Sequence, residues 1–264
     1  MQLNTDKMIA EVEDGIGWMT FNNPERRNAL SLEMWEAIAM IVEEFQQDHS
    51  VRVVVMKGAG DKAFVAGADI SQFDEKRSNA QQIEQYSATL SGARQRLADL
   101  DKPLIAMIRG YCLGGGLTVA LNADIRIASE DSQFGVPAAR LGIAYGYEAM
   151  KQLVDLVGPA FAKEIAFSAR RLSAEEALRI GLVNRVVPAG KLEETARELA
   201  TTIASNAPLS VKAAKFTIGE TLKDPSSRDF GAISRMVKTC FDSRDYIEGR
   251  TAFMEKRKPN FLGS

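Results

Sequence analysis

Two kinds of hydrophobic pattern divide this chain. Over residues 1–190, short runs rich in β-branched residues alternate with longer segments of helical periodicity. Met8–Glu13 and Ile16–Phe21 flank Asp14-Gly15, a dipeptide typical of tight hairpin turns, and predict two antiparallel strands. Over residues 191–264 the apolar positions follow the helical period throughout. The pattern therefore predicts an α/β core followed by a helical C-terminal region.

The same patterns predict the individual elements. Trp35, Ile38 and Phe45 recur at helical spacing after Ser31, a residue type that caps helix N-termini. The β-branched run Val51–Met56 predicts a strand. Within the core, these elements are consistent with strand–strand–helix units that repeat. The other predicted elements are strands at Leu104–Ile108 and Ile125–Ala128 and helices at Ala80–Leu100, Lys191–Ser205, Leu209–Leu222, Arg228–Asp242 and Asp245–Lys256.

Composition narrows the classes of function. The chain has 264 residues, 45% of them hydrophobic, so it can bury a substantial core. A formal net charge of −2 gives no dominant attraction to nucleic acid or to an anionic membrane. RNA binding is further disfavoured because the predicted helix Ser31–Asp48 contains glutamates and no lysine. No apolar run approaches the roughly 20 residues of a membrane span, so we expect neither a nucleic acid nor a membrane as partner.

Histidine and cysteine are scarce in this chain. His49 is the single histidine, and Cys112 and Cys240 are the two cysteines. No familiar zinc site and no serine–histidine–acid triad can be assembled from these residues. Two scattered cysteines do not predict a disulfide framework, so we expect no metal cofactor and a reduced, cytoplasmic setting.

Two glycine-containing loops are the most informative motifs. Ala66–Asp69 and Gly110–Gly116 each follow an apolar run, and we interpret both as strand-to-helix junctions with accessible backbone N–H groups. Two N–H groups that converge from separate loops make an oxyanion hole, which stabilises negative charge on a carbonyl oxygen. The triple glycine matches neither a Walker loop nor the dinucleotide fingerprint. A tight turn with close packing is the alternative explanation.

Together with other segments, these loops resemble the crotonase superfamily, also called the enoyl-CoA hydratase/isomerase family. The likeness runs in order along nearly the whole chain. The resemblance implies a spiral of ββα repeats followed by a C-terminal helical trimerisation region, assembled as a homotrimer or a hexamer. The matching segments are Phe21–Pro24, Asn28–Leu30, Ala63-Phe64, Ala66–Ile70, Lys102-Pro103, Gly110–Gly116, Ala123–Ile125, Phe134–Pro137, Leu141-Gly142, Ala174–Ala177, Gly181–Val183 and Phe253–Arg257.

The resemblance also implies the ligand. The substrate would be an acyl-CoA or enoyl-CoA thioester, with coenzyme A as part of the substrate and no tightly bound cofactor. The N–H groups of Ala68 and Gly115 would hold the thioester oxygen, while Ala66, Ala68 and Ile70 would line the adenine side. Three basic residues are either contacts of the coenzyme phosphates or ordinary surface cations: Arg26, Arg27 and Lys256.

The residues that move protons do not follow the family pattern. Hydratases of the family carry two glutamates, at positions that correspond here to Thr118 and Ala138. Neither side chain can replace a carboxylate at neutral pH, so two-glutamate hydration is in doubt. Thr118 is kept as a candidate for contact with the substrate or with water.

The remaining candidates lie in the loop Gly142–Glu148. Tyr145 occupies a position where the methylmalonyl-CoA decarboxylase branch of the family also has a tyrosine, and it could give a proton to an enolate. That branch has a histidine where this chain has Ala68, so the match is partial. Glu148 could instead be the single base of a double-bond isomerase, or an acid favoured in the first turn of a helix. A non-catalytic acyl-CoA-binding protein is the third alternative.

Overall fold

Strands and helices alternate in the part of the chain that a computed structural model describes, residues 3–69 and 79–264. The strands are β1 (Met8–Glu13), β2 (Ile16–Phe21), β3 (Val53–Gly58), β4 (Ala63–Val65), β5 (Leu104–Ile108), β6 (Tyr111–Leu113), β7 (Ile125–Ser129), β8 (Gln133–Gly135), β9 (Leu172–Ser173) and β10 (Arg185–Val187). The helices are α1 (Leu32–Gln47), α2 (Ala80–Asp99), α3 (Gly115–Ala120), α4 (Tyr147–Ser168), α5 (Ala174–Arg179), α6 (Leu192–Ala204), α7 (Pro208–Thr221), α8 (Phe230–Asp242) and α9 (Arg244–Glu255).

The strands of these ranges form two sheets. β1 and β2 make the predicted hairpin, and β2 then runs parallel to its neighbour in a six-stranded sheet of order β1-β2-β3-β5-β7-β10. A second sheet has the order β4-β6-β8-β9, with β9 antiparallel at its edge. Successive pairs, from β3–β4 to β7–β8, place one strand in each sheet before the chain enters a helix. This repeat confirms the predicted α/β spiral.

The hydrophobic core occupies both faces of the larger sheet. On β3, Val54 and Met56 join the core formed with α1 and α2, whereas Val53 and Val55 face the opposite side. This alternation is the two-residue period of a strand that is buried on both faces. The second face is covered by α6, which contributes residues at helical spacing: Leu192, Ala196 and Ala200. The first helix of the predicted C-terminal region therefore completes the core, and the domain boundary at residue 190 stays a prediction.

Two local expectations differ from the structure. The run Gly110–Gly116 is not one loop, because β6 lies inside it and pairs with both β4 and β8. Gly110 and Gly114, with φ angles of 65° and 55°, turn the chain at either end of that strand. Ser31 occupies the N-cap position of α1, yet its buried Oγ has no hydrogen-bond partner among the described residues.

Within the described ranges, no helix combines the length and the apolar character that crossing a bilayer would require.

Candidate functional site

The loop Ala66–Asp69, called the first loop below, meets the turn Gly114-Gly115 that joins β6 to α3 and is called the second loop below. A Cβ atom built on Gly115 would stand 3.6 Å from the backbone nitrogen of Ala68. Within the described residues, neither the Ala68 N–H nor the Gly115 N–H donates to a backbone carbonyl. The structure therefore brings together two residues, far apart in sequence, whose N–H groups make no backbone hydrogen bond among the described residues.

Gly116 allows this approach. A Cβ at that position would stand 2.1 Å from the carbonyl oxygen of Val65, so no larger residue fits without moving backbone. The backbone of α3 is thus packed directly against β4, the strand that leads into the first loop. Gly114 is anchored as well, because its N–H donates to the Gly135 carbonyl at 2.9 Å.

The first loop is held by main-chain hydrogen bonds to the segment that precedes α1. The Leu30 N–H donates to the Gly67 carbonyl at 2.8 Å, and the Asp69 N–H donates back to the Leu30 carbonyl at 2.8 Å. The Ala66 N–H donates to the Arg27 carbonyl at 3.0 Å. Gly67 has a φ of 127°, in the region that favours glycine. These bonds use the N–H groups of Ala66 and Asp69 and leave those of Gly67 and Ala68 without a backbone acceptor among the described residues.

Asn28 holds the segment that precedes α1 in place through side-chain hydrogen bonds. Its side chain is fully buried, and its Nδ2 donates to the carbonyls of Ala59 at 3.0 Å and Ala63 at 2.7 Å. Its Oδ1 accepts a hydrogen bond from the Asn23 N–H at 2.9 Å. Asn28 also has a φ of 57°, which asparagine tolerates better than most residues. One side chain thereby ties together three parts of the backbone behind the first loop.

Tyr145 lies beside the second loop. Its hydroxyl oxygen is 3.3 Å from the place where a Cβ of Gly114 would stand, and its ring packs against the main core. Burial raises the pKa of Tyr145, and the nearby Arg94 partly opposes that shift. The phenol is therefore protonated at neutral pH and is available as a hydrogen-bond and proton donor.

Thr118 and Ala138 offer no proton-transfer group. The Thr118 hydroxyl donates to the Gly115 carbonyl at 2.8 Å, within its own helix, and only 8% of the residue is exposed. Ala138 is buried in a short 3₁₀ turn at Pro137–Arg140. Pro137 itself contacts the Gly114 position, so this turn borders the second loop.

Glu148 lies in the first turn of α4 and is exposed. Its Oε2 is 3.4 Å from the place where a Cβ of Gly146 would stand, so the carboxylate folds back along its own turn.

Arg94 is the residue that sequence reasoning missed. It lies on α2, half-buried, and burial lowers its pKa, whereas Glu148 and Tyr145 act in the opposite direction. The available signal was its spacing: it follows Leu90, a residue packed on the core, by one helical turn.

The three basic residues predicted to contact the coenzyme phosphates lie in different parts of the structure. Arg26 pairs with Asp69 of the first loop at 3.4 Å, and Arg27 lies over the ring of Tyr111 at 5.2 Å from its centroid. Lys256 is exposed at the C-terminal end of α9, a helix that packs mainly against α8. The prediction for Ile70 lies outside the described residues.

Comparison with known proteins identifies the family. The sequence model of the enoyl-CoA hydratase/isomerase family matches residues 11–264. A short-chain-enoyl-CoA hydratase of Clostridium acetobutylicum is 39% identical over 258 residues, which cover 98% of this chain and 97% of that protein. A crotonyl-CoA hydratase of Syntrophomonas wolfei is 34% identical over 257 residues, or 97% and 98% of the two chains.

A solved structure shows the same fold. The crystal structure of an enoyl-CoA hydratase/carnithine racemase from Magnetospirillum magneticum superimposes with a TM-score of 0.94 at 37% identity. The match covers 99% of this chain and 97% of the other. Sequence and fold agree along the whole chain, so this protein is an enzyme that belongs to the enoyl-CoA hydratase/isomerase family.

Proposed function

We propose that this enzyme binds an acyl-CoA or enoyl-CoA thioester with its carbonyl oxygen between the N–H groups of Ala68 and Gly115, and that it stabilises the thioester enolate. One observation carries the proposal. The Ala68 nitrogen lies 3.6 Å from the place where a Cβ of Gly115 would stand, and neither residue's N–H makes a backbone hydrogen bond among the described residues. Two similar proteins are named hydratases of short-chain enoyl-CoA and of crotonyl-CoA, which favours a short acyl chain.

The physical basis is the charge that develops on the oxygen. When a thioester becomes an enolate, its oxygen gains negative charge, and preorganised donors stabilise that charge more than they stabilise the neutral carbonyl. Removing one such donor costs about 2.7–4 kcal/mol in known enzymes. Because the donors belong to the main chain and are held by packing, they need no reorganisation during the reaction.

Tyr145 is the group we assign to proton delivery. It is protonated, half-buried and adjacent to the second loop, so it can donate to the enolate after charge has developed. Thr118 and Ala138 carry no carboxylate, and we therefore do not assign two-glutamate hydration to this site. The Thr118 hydroxyl is already engaged by the Gly115 carbonyl.

A vibrational experiment tests the carbonyl site without assuming the reaction. Butyryl-CoA labelled with ¹³C at the thioester carbonyl is bound to the enzyme, and its C=O stretch is read by isotope-edited infrared spectroscopy. We expect a shift to lower frequency on binding, because hydrogen bonds weaken the C=O bond. In Ala68→Pro the N–H is lost, and most of the shift is lost with it.

Ala68→Ser is the matched control, since it changes the side chain and keeps the N–H. The proposal fails when bound butyryl-CoA shows no shift in the unaltered enzyme, or when Ala68→Pro shows the full shift.

A malonyl-CoA-type decarboxylase is the second candidate reaction. The neutral Tyr145 phenol beside the second loop favours it, because loss of carbon dioxide forms an enolate without a base and then needs only a proton donor. Product analysis with methylmalonyl-CoA and with crotonyl-CoA separates decarboxylation from hydration. Turnover of crotonyl-CoA at thousands per second would contradict the argument from Thr118 and Ala138.

Isomerisation with Glu148 as the base is a third reaction to test. Its exposed carboxylate turns back toward Gly146, which does not favour this role. Glu148→Gln would abolish double-bond migration in a β,γ-enoyl-CoA if Glu148 were the base.

We also propose that α7, α8 and α9 are buried between copies of the chain in a homotrimer or hexamer. These helices carry large apolar side chains that are mostly exposed, including Phe253 at 82% and Met254 at 80%. Light scattering with the double variant Phe253→Ser/Met254→Ser tests it, and an unaltered chain that is monomeric at micromolar concentration would contradict it. A cytoplasmic location stays a prediction.

A further inference from the structure

Arg94 has a buried hydrogen-bond donor without an acceptor. Its Nε is inaccessible to solvent, and within residues 3–69 and 79–264 it has no hydrogen-bond partner. No carboxylate of the described residues lies within ion-pair distance of its guanidinium. A buried cationic donor without an acceptor is costly, so such a group is normally paired with an anion.

Two other arginines serve for comparison, because each has a hydrogen-bond or ion-pair partner. Arg126 is 3% exposed, and its Nε donates to the Leu182 carbonyl at 2.8 Å. Arg96, two residues beyond Arg94 on α2, faces solvent and lies 3.7 Å from a carboxylate oxygen of Glu43. These two arginines have partners, whereas the buried Nε of Arg94, like that of Arg109, has none among the described residues.

The surroundings of Arg94 connect it to the proposed carbonyl site. Among the described residues, Tyr145 and Glu148 are the titratable groups near enough to affect its ionisation. The Tyr145 hydroxyl lies against Gly114, the residue before the proposed donor Gly115. Glu148 is near enough to influence Arg94 and yet folds back toward Gly146 instead of pairing with it. The guanidinium is therefore near Tyr145, whose hydroxyl borders Gly114 of the proposed carbonyl site.

We propose that Arg94 binds a carboxylate at the far end of the acyl group, so that the enzyme selects CoA thioesters of dicarboxylic acids over those of uncharged chains. This inference rests on the proposed function, because it uses the same thioester position. A guanidinium matches a carboxylate through two parallel hydrogen bonds, and it holds its charge at any physiological pH. Arg94 acts here as a specificity-determining residue.

Matched ligand pairs test the proposal by calorimetric titration. Succinyl-CoA is compared with isocaproyl-CoA, and malonyl-CoA with isovaleryl-CoA, because in each pair an isopropyl group replaces the carboxylate at the same chain length. We expect the unaltered enzyme to prefer the charged member of at least one pair by about tenfold to one hundredfold, the usual range for a charge-assisted hydrogen bond.

Arg94→Met keeps the length of the side chain and removes its charge. We expect it to lose that preference while binding the uncharged member as tightly as before, and Arg94→Lys to restore part of the preference. Arg96→Met, on the exposed face of the same helix, is the control and should retain the preference. A purely structural role would weaken all ligands together and would lower thermal stability in Arg94→Lys and Arg94→Met alike.

The outcomes separate the two proposals. When charged and uncharged thioesters bind equally well to the unaltered enzyme, the role of Arg94 is overturned and the thioester site stands. When no acyl-CoA binds at all, both proposals are overturned. When Arg94→Met keeps the full preference for the charged ligand, the carboxylate is bound elsewhere and Arg94 is excluded.

Discussion

The two halves of the candidate site are built by different means. The pair Ala68 and Gly115 is a main-chain arrangement, fixed by close backbone packing at Gly116 and by hydrogen bonds between the first loop and residues 27–30. The other half consists of side chains, Tyr145, Arg94 and Glu148, which are half-buried or exposed and make few specific contacts. In the proposed function, the main-chain half would hold the thioester oxygen, and the side-chain half would decide which reaction follows.

The largest effect is expected where the main-chain half is most crowded. In Gly116→Ala the new Cβ would stand 2.1 Å from the Val65 carbonyl oxygen, so α3 must move away from β4. We expect a loss of about 3 kcal/mol in the free energy of unfolding, measured by urea denaturation, together with loss of the infrared shift. Gly190→Ala is the control, because nothing lies within 4 Å of that position, and we expect a change below about 1 kcal/mol.

Substitutions in the side-chain half should lower turnover and leave the free energy of unfolding nearly unchanged. Tyr145→Phe removes the proton donor and leaves the packing ring, so we expect turnover to fall about a hundredfold, the lower end for lost acid catalysis. The free energy of unfolding should change by less than about 1 kcal/mol. Tyr147→Phe is the matched control, since Tyr147 is 74% exposed, and it should keep nearly full turnover. Equal losses in the two variants would remove Tyr145 from the mechanism.

Substitutions at Asn28 test how much its buried side-chain hydrogen bonds contribute to the stability of the main-chain half. Asn28→Ala leaves buried carbonyls without donors, and we expect it to cost about 2 kcal/mol in unfolding free energy. Asn28→Gly loses the same hydrogen bonds but accepts the φ of 57°, so it should be about 1 kcal/mol more stable than the alanine variant. Should the two variants be equally stable, the positive φ contributes nothing measurable.

The smallest effect concerns pH. Because burial raises the pKa of Tyr145 above its ordinary value near 10, its contribution to stability is fully present below that pH. The contribution is lost as the pH rises through the higher pKa of the folded state, where the phenol ionises. Above pH 10, the free energy of unfolding should therefore fall less steeply with pH in Tyr145→Phe than in the unaltered enzyme. At neutral pH the two proteins should have nearly the same free energy of unfolding.

Much of the fold was predictable because its signals are local. The β1–β2 hairpin agrees with the prediction residue for residue, and the C-terminal helices begin and end within two residues of their predicted bounds. The longest missed element is α4, in which Gly158, with a φ of 74°, and Pro159 interrupt the helical pattern. The short strands β4, β6, β8, β9 and β10 were missed as well, because runs of two or three residues carry little periodic signal.

The candidate site was predictable in part. Its two loops were identified from glycine motifs, but the reason for Gly116 is a contact with Val65, fifty-one positions earlier in the chain, which no local pattern encodes. Arg94 was missed for the same reason, since its unmet hydrogen bond depends on what α2 packs against. The proton-transfer residues cannot be read from motifs when the motif positions hold Thr118 and Ala138.

The main-chain origin of the proposed donors has an evolutionary consequence. Every residue type except proline carries a backbone N–H, so among substitutions at Ala68 or Gly115 only proline deletes the donor itself. If these donors hold the carbonyl as proposed, descendants of such a protein keep that site while the surrounding side chains are exchanged, one at a time, for new chemistry.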